Sequence, residues 1–120
     1  MSLIGRIASP APTLDSKTSV SDAIEYLVVN KCDHAFIQHE GEMVGIVSAE
    51  RLLENFKTRA SSPIMEFMVP IITIKGNEPE SRAAEIMEKH VAECLAVTNP
   101  NGVFVGVAAF KKLTRPEKKP

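Results

Sequence analysis

A segment of this chain occurs twice, and this duplication constrains the fold more than any other feature. Shifting the sequence by 60 residues brings identical residues together: Ile4 falls on Ile64, Pro10 on Pro70, Thr13 on Thr73, Ser21 on Ser81, Ala23 on Ala83 and Glu25 on Glu85. After one extra residue, the match resumes at a shift of 61: Gly41 on Gly102, Val44 on Val105, Gly45 on Gly106 and Leu52 on Leu113. Because neither copy is large enough to fold alone, two copies of one supersecondary unit must bury their apolar faces against each other.

Each copy has the pattern strand, helix, strand, strand, helix. In the first copy, Ser19 is the predicted N-cap of a helix that ends near Lys31. The apolar stripe of this helix has five members: Val20, Ala23, Ile24, Leu27 and Val28. In the second copy, Asn77 is the predicted N-cap, with Pro79 in the first turn. Its stripe has four members: Ala83, Ala84, Met87 and Val91. Alternating strands and helices predict an α/β (α+β) fold with mixed sheets.

Composition and charge narrow the class of protein. The chain is 44% hydrophobic and 24% charged, as in ordinary globular domains. It has no apolar run of about 18 residues and no signal-peptide pattern, so we expect no membrane association. Its two cysteines are too few for a disulfide framework and predict reduced thiols in the cytoplasm. The segment 114–120 is a basic tail, but an acidic body with few aromatic residues argues against nucleic-acid binding.

The chain resembles a tandem pair of cystathionine β-synthase (CBS) domains, often called a Bateman module. The resemblance rests on a junction that occurs twice, in which a glycine and two apolar residues lead from a strand into a helix. The first copy reads Gly45-Ile46-Val47-Ser48-Ala49-Glu50-Arg51, and the second reads Gly106-Val107-Ala108-Ala109-Phe110-Lys111-Lys112. The resulting prediction is a first CBS repeat at 1–57, a linker at 58–63 and a second repeat at 64–113. The resemblance implies β-α-β-β-α repeats packed about a pseudo-twofold axis.

The resemblance also implies a regulatory function rather than an enzyme. Members of this family commonly bind AMP, ADP, ATP or S-adenosylmethionine in clefts between the repeats. They usually modulate an attached or partner enzyme, transporter or channel, and they commonly form homodimers. The residues agree with the absence of catalysis, since no Ser/His/Asp order, paired-carboxylate site or glycine-rich phosphate loop is present in the sequence.

The sequence departs from the family pattern at the position that would bind the ribose of a nucleoside. The family pattern has an aspartate one turn into the helix, where it can accept hydrogen bonds from a ribose diol, but Arg51 and Lys112 stand there. A cation cannot accept those hydrogen bonds, although it suits a phosphate. Ala109 also replaces the hydroxyl residue in the second copy. Two hypotheses therefore remain open: a site for a phosphorylated ligand, or degenerate sites in a module that only dimerises.

The predicted ligand-binding residues come from both copies. They are Thr13, Ile46, Ser48 and Arg51 in the first copy, and Thr73, Val97, Ala109 and Lys112 in the second. The side chains of Cys32, His34, His90 and Cys94 have zinc-ligand chemistry, but their spacing is not a zinc pattern, so we predict no metal. We predict that His39 is a solvated turn residue.

Overall fold

The chain forms two compact units, each with a three-stranded sheet. The computed structural model of the protein describes residues 3–109. The first unit is Pro10–Ile71, and the second unit combines residues up to 9 with residues from 72 onward. The predicted helix at 110–113, the basic tail and Lys112 lie outside the described residues.

In the first unit, one long helix and three short helical elements accompany a mixed sheet. Its elements are β1 (Thr13–Asp15), α2 (Val20–Val29), β2 (His34–His39), β3 (Glu42–Ser48), α3 (Ala49–Glu54), α4 (Phe56–Arg59) and a 3₁₀ helix (Ile64–Phe67). β1 pairs with β2 in parallel, and β2 pairs with β3 antiparallel. The core consists of apolar side chains from these elements: Val20, Ala23, Leu27, Ala35, Ile37, Val47, Leu52, Ile64 and Phe67.

The second unit repeats this plan. Its elements are α1 (Ile4–Ile7), β4 (Thr73–Lys75), α5 (Glu80–His90), β5 (Cys94–Thr98) and β6 (Phe104–Ala109). The sheet order is β4-β5-β6, again with one parallel and one antiparallel pairing. Its core contains Ile4, Ile74, Ala83, Met87, Leu95, Val97 and Ala108.

The strand register follows the sequence repeat residue by residue. Thr13 pairs with Phe36, and Thr73 pairs with Ala96. The antiparallel ladders are interrupted by irregularities at equivalent positions, Ile37/Gln38 and Val97/Thr98. The mixed α/β fold with duplicated β-α-β-β units predicted from the sequence is confirmed.

The short segment that leads into each repeat packs in the unit of the other repeat. Ser9 and Val107 exchange two backbone hydrogen bonds of 2.9 and 2.8 Å in the second unit. Val69 and Ile46 exchange equivalent bonds of 2.8 and 3.0 Å in the first unit. We call residues 3–9 and 63–69 the leading segments. The predicted repeat boundaries describe sequence similarity, whereas the compact units describe contacts, and the leading segments are where the two divisions differ.

Three details of the predicted elements are wrong. Val28 is 63% exposed because it lies about 80° around α2 from Val20, at the edge of the buried stripe. Val91 is 91% exposed because the helix has already ended there, in a left-handed residue with φ of 52°. Helix α5 begins at Glu80 with Pro79 as its N-cap, not Asn77. By contrast, Ser19 caps α2 as predicted, accepting a hydrogen bond from the Asp22 N–H.

Part of the predicted linker is helical, since α4 occupies Phe56–Arg59. Arg59 ends this turn and anchors the leading segment that follows. It forms an ion pair with Glu66 and lies 5.5 Å from the centre of the Phe67 ring. Across residues 3–109, no helix combines the length and apolar character needed to cross a bilayer.

Candidate functional site

Ser48 lies where β3 passes into α3, the junction predicted to hold a ligand. Its Oγ accepts a hydrogen bond of 3.1 Å from the Arg51 N–H, so Ser48 is the helix N-cap. The Ala49 N–H donates to the Asp33 carbonyl over 2.8 Å. Two leading N–H groups of α3 are therefore already bonded, and the helix has only six residues. The backbone at this junction is therefore poorly suited to binding a phosphate, whereas the Ser48 hydroxyl proton remains available to donate.

Arg51 supplies the positive charge at this junction. The residue is exposed and lies in the last turn of the short α3 helix. Within the part of the chain that the structure describes, its guanidinium has neither an ion pair nor a hydrogen bond. A guanidinium with this freedom is suited to a bidentate contact with a phosphate.

The other predicted residues of the first unit share one face of its sheet. Ala35, Ile37 and Val47 point into the core beside the helices. Because side chains alternate along a strand, the residues between them point to the opposite face. Thr13, Phe36 and Ile46 form one row across this face, and His34 and Ser48 form the next pair.

Accessibility separates the members of this face. Thr13 is exposed, and Ser48 and His34 are half-buried. Ile46 is only 1% exposed, so its side chain is unavailable to a base in this conformation. His34 was not among the predicted ligand-binding residues, but its position directly opposite Ser48 follows from the ladder. The C-x-H signal in the sequence pointed to metal chemistry instead.

In the second unit, the predicted residues are less suited to a polar ligand. Thr73 is exposed on β4. Ala109 is 8% exposed and pairs with Cys94, as Ser48 pairs with His34. Val97 is fully buried in the core cluster with Ala83 and Met87, so its side chain packs against α5 rather than facing a ligand.

The remaining predicted features concern histidines and cysteines. His39 is not simply solvated, because its Nδ1 lies 2.8 Å from the hydroxyl of Ser16, which is 1% exposed. Both cysteines are free thiols. The described residues contain no group of three or more His, Cys, Asp or Glu side chains arranged to hold a metal ion.

The two thiols are expected to differ in reactivity. Burial, and secondarily the charge of Glu93, raises the pKa of Cys94 to about 11 from 9.0. Because the thiolate is the reactive form, Cys94 should resist alkylation at pH 8 while half-buried Cys32 reacts. Titration with a thiol-reactive chromophore should detect one fast-reacting thiol in the native protein and two in denaturant. Two equally fast thiols in the native protein would contradict this assignment.

The raised pKa of Cys94 also makes the free energy of unfolding depend on pH. Since the folded pKa is raised, the contribution of the Cys94 thiol to stability is fully present below pH 9 and is lost as the pH rises towards 11.

Comparison with known proteins identifies the class to which this duplicated fold belongs. The CBS domain pair of protein MJ0100, in complex with 5′-methylthioadenosine and S-adenosylmethionine, superposes with a TM-score of 0.71 and 24% identity, covering 93% of this chain and 92% of that one. A CBS domain protein from Pyrobaculum aerophilum complexed with AMP gives 0.72 and 22%, covering 92% and 88%. The cytosolic domain of the magnesium channel MgtE in complex with ATP gives 0.65 and 16%, covering 92% and 47%. At these identities the likeness establishes the fold.

The family is indicated by a separate comparison. Residues 4–58 match the family model of the CBS domain. Comparison with curated proteins gave no significant match. The chain therefore has the fold of a tandem CBS pair and matches the CBS model over its first repeat, which confirms the resemblance drawn from the sequence. CBS domains are generally regulatory rather than catalytic, and the structural neighbours include complexes with AMP, S-adenosylmethionine and ATP.

Proposed function

We propose that this protein is a regulatory module that binds a phosphorylated adenosine nucleotide at the junction of β3 and α3. Ser48 donates a hydrogen bond to the ligand, Arg51 binds its phosphate, and exposed Thr13 contacts it from β1. The observation that carries the proposal is the Arg51 guanidinium, which has no partner within residues 3–109 and stands one turn from Ser48. The nucleotide complexes of the structural neighbours support the ligand class.

Charge favours some members of this ligand class over others. Arg51 attracts the charge of a phosphate more strongly than the single carboxylate of S-adenosylmethionine, whose sulfonium and ammonium groups it repels. AMP, ADP and ATP are therefore the preferred ligands, and S-adenosylmethionine is the weaker one. Binding would shift the balance between conformations of the module and so modulate a partner enzyme or transporter. Its free thiols agree with the reducing cytoplasm that we propose as its location.

A ligand panel combined with an arginine variant tests this function. Thermal unfolding with AMP, ADP, ATP, adenosine and S-adenosylmethionine should show stabilisation by a phosphorylated member, of about 2.7 kcal/mol at 100 times its Kd. Arg51→Ala should weaken AMP about tenfold or more, since hydrogen bonds to charged groups contribute about 1.5–3 kcal/mol. Adenosine binding should change less than about twofold, because it lacks the phosphate that Arg51 contacts.

The control removes an equivalent charge elsewhere in the same unit. Lys57 is exposed in α4, and Lys57→Ala should leave AMP affinity unchanged. If no nucleotide shifts the melting temperature of the wild-type protein, the proposed function is wrong. If Arg51→Ala and Lys57→Ala weaken AMP equally, binding depends on net charge and not on a contact from Arg51.

A second candidate function is assembly alone, with no ligand. It is favoured by the apolar side chains that α2 and the following turns leave exposed. Tyr26 and Val29 are 45% and 71% exposed on α2, and Leu53 and Phe56 are 56% and 43% exposed on α3 and α4, which contact α2. Scattered single apolar residues are ordinary, but several of them exposed on helices that contact one another favour an interface. This group predicts a homodimer formed through the helices of the first unit.

Sedimentation distinguishes assembly from a monomeric sensor. The wild-type protein should sediment as a dimer at micromolar concentration. Val29→Glu should shift it towards monomer, because a charge would be buried without a partner. Val103→Glu, at an exposed valine of the second unit, is the matched control and should leave the dimer intact. A wild-type protein that remains monomeric at these concentrations would contradict the assembly function.

A further inference from the structure

The two units present the same sheet face with different chemistry. In the first unit, this face carries the pair His34–Ser48 followed by Phe36. At equivalent positions, the second unit carries the pair Cys94–Ala109 followed by Ala96. The backbone register is the same in both, so the difference lies in the side chains alone.

The pair in the first unit is both more polar and more accessible to solvent than the equivalent pair in the second unit. His34 and Ser48 are both half-buried and therefore reachable from solvent. The imidazole and hydroxyl together supply donors and acceptors for a phosphate or a ribose. Cys94 and Ala109 are 6% and 8% exposed. A buried thiol is a weak donor and a methyl group is none, so this pair of positions in the second unit offers a polar ligand almost nothing, and Thr73 is the exposed polar residue of the neighbouring row.

We infer that each chain binds one nucleotide, at the first unit, and that His34 contacts it beside Ser48. This inference rests on the proposed function. Directly paired residues on antiparallel strands have Cβ atoms about 4.5–5.5 Å apart, so one ligand group can reach both side chains. His34 makes the site polar at a position where the second unit has a buried thiol, and this difference decides which unit binds.

Titration calorimetry of the full chain with AMP and with ATP tests the inference. We expect one nucleotide per chain. His34→Ala should weaken binding about tenfold, a typical loss for one charge-assisted hydrogen bond. Cys94→Ala changes the equivalent position of the second unit and should leave affinity within about twofold. Melting temperatures report whether each variant is folded, and His34→Gln replaces His34→Ala if the alanine variant does not fold.

The possible results separate this inference from the function on which it rests. Two nucleotides per chain, or equal losses from the His34 and Cys94 variants, would overturn the single-site inference while leaving nucleotide binding in place. Unchanged affinity in His34→Ala, together with a loss in Arg51→Ala, would show that the ligand contacts the arginine and not the histidine. Absence of binding by the wild-type protein to every nucleotide of the panel would overturn the proposed function, and this inference with it.

Discussion

Replacing Ile4 with alanine is expected to loosen the second unit, although Ile4 belongs to the first sequence repeat. Ile4 is fully buried in the core cluster of the second unit, together with Met87, Leu95 and Val97. The Ile4 N–H also donates to the Glu78 carbonyl over 2.7 Å. Removing a buried isoleucine side chain usually costs about 2–5 kcal/mol, because a cavity adds to the lost transfer free energy. Hydrogen exchange should show lost protection across 72–109.

Ile64→Ala provides the matched comparison. Ile64 is the sequence equivalent of Ile4, is also fully buried, and belongs to the core of the first unit. Its N–H donates to the Thr18 carbonyl over 2.8 Å, which matches the bond from Ile4. This variant should remove protection within 10–71 by a similar amount. If Ile4→Ala instead loosened 10–57, the assignment of the leading segment to the second unit would be contradicted.

Gly45→Ala is expected to separate the second leading segment from β3. A Cβ atom at Gly45 would lie 2.5 Å from the Met68 Sδ and 2.9 Å from the Val69 carbonyl oxygen. The methionine side chain can move, but the carbonyl belongs to the backbone that pairs with Ile46. Overpacking of this kind usually costs about 1–3 kcal/mol and occasionally more. Chemical denaturation should show this loss with little change in the m-value.

Gly76→Ala is the control for the effect of adding a methyl group. At Gly76 the nearest atoms to a new Cβ are 3.4 Å away, which is ordinary contact. The alanine also reduces the freedom of the unfolded chain, so this variant should be neutral or slightly stabilising. If the two variants lost equal stability, close approach of Val69 would not be the reason that position 45 is glycine.

The secondary structure was largely predictable because the repeat reports each element twice. The Ser19 cap, the hairpin of β2 and β3 and the order of strands all follow from local spacing and turn residues. The errors occur where the local apolar pattern does not by itself decide whether a side chain is buried. Val28 continues the apolar pattern of α2 but is exposed, because it lies at the edge of the buried stripe. Val91 fits the helical period but follows the last helical residue.

The candidate site was predictable only in part. Ser48 and Arg51 belong to a continuous motif, so the sequence identifies them without any knowledge of pairing. His34 is separated from Ser48 along the chain, and only the β2–β3 ladder brings the two together. Tertiary packing buries Ile46 and Val97, and their apolar character alone does not distinguish a buried position from a base-binding surface.

The sequence by itself determined the duplication, the order of strands and helices, the CBS resemblance and the exchange of aspartate for Arg51 and Lys112. These properties depend on residue identity and local periodicity, which can be read directly from the sequence. Only the tertiary structure decided that each leading segment packs in the unit of the other repeat. It alone also showed that His34 lies directly opposite Ser48. These properties depend on which backbone groups, distant along the chain, form hydrogen bonds with each other. Because the two repeats are similar, each offers similar backbone partners to a leading segment, so the sequence does not decide between them.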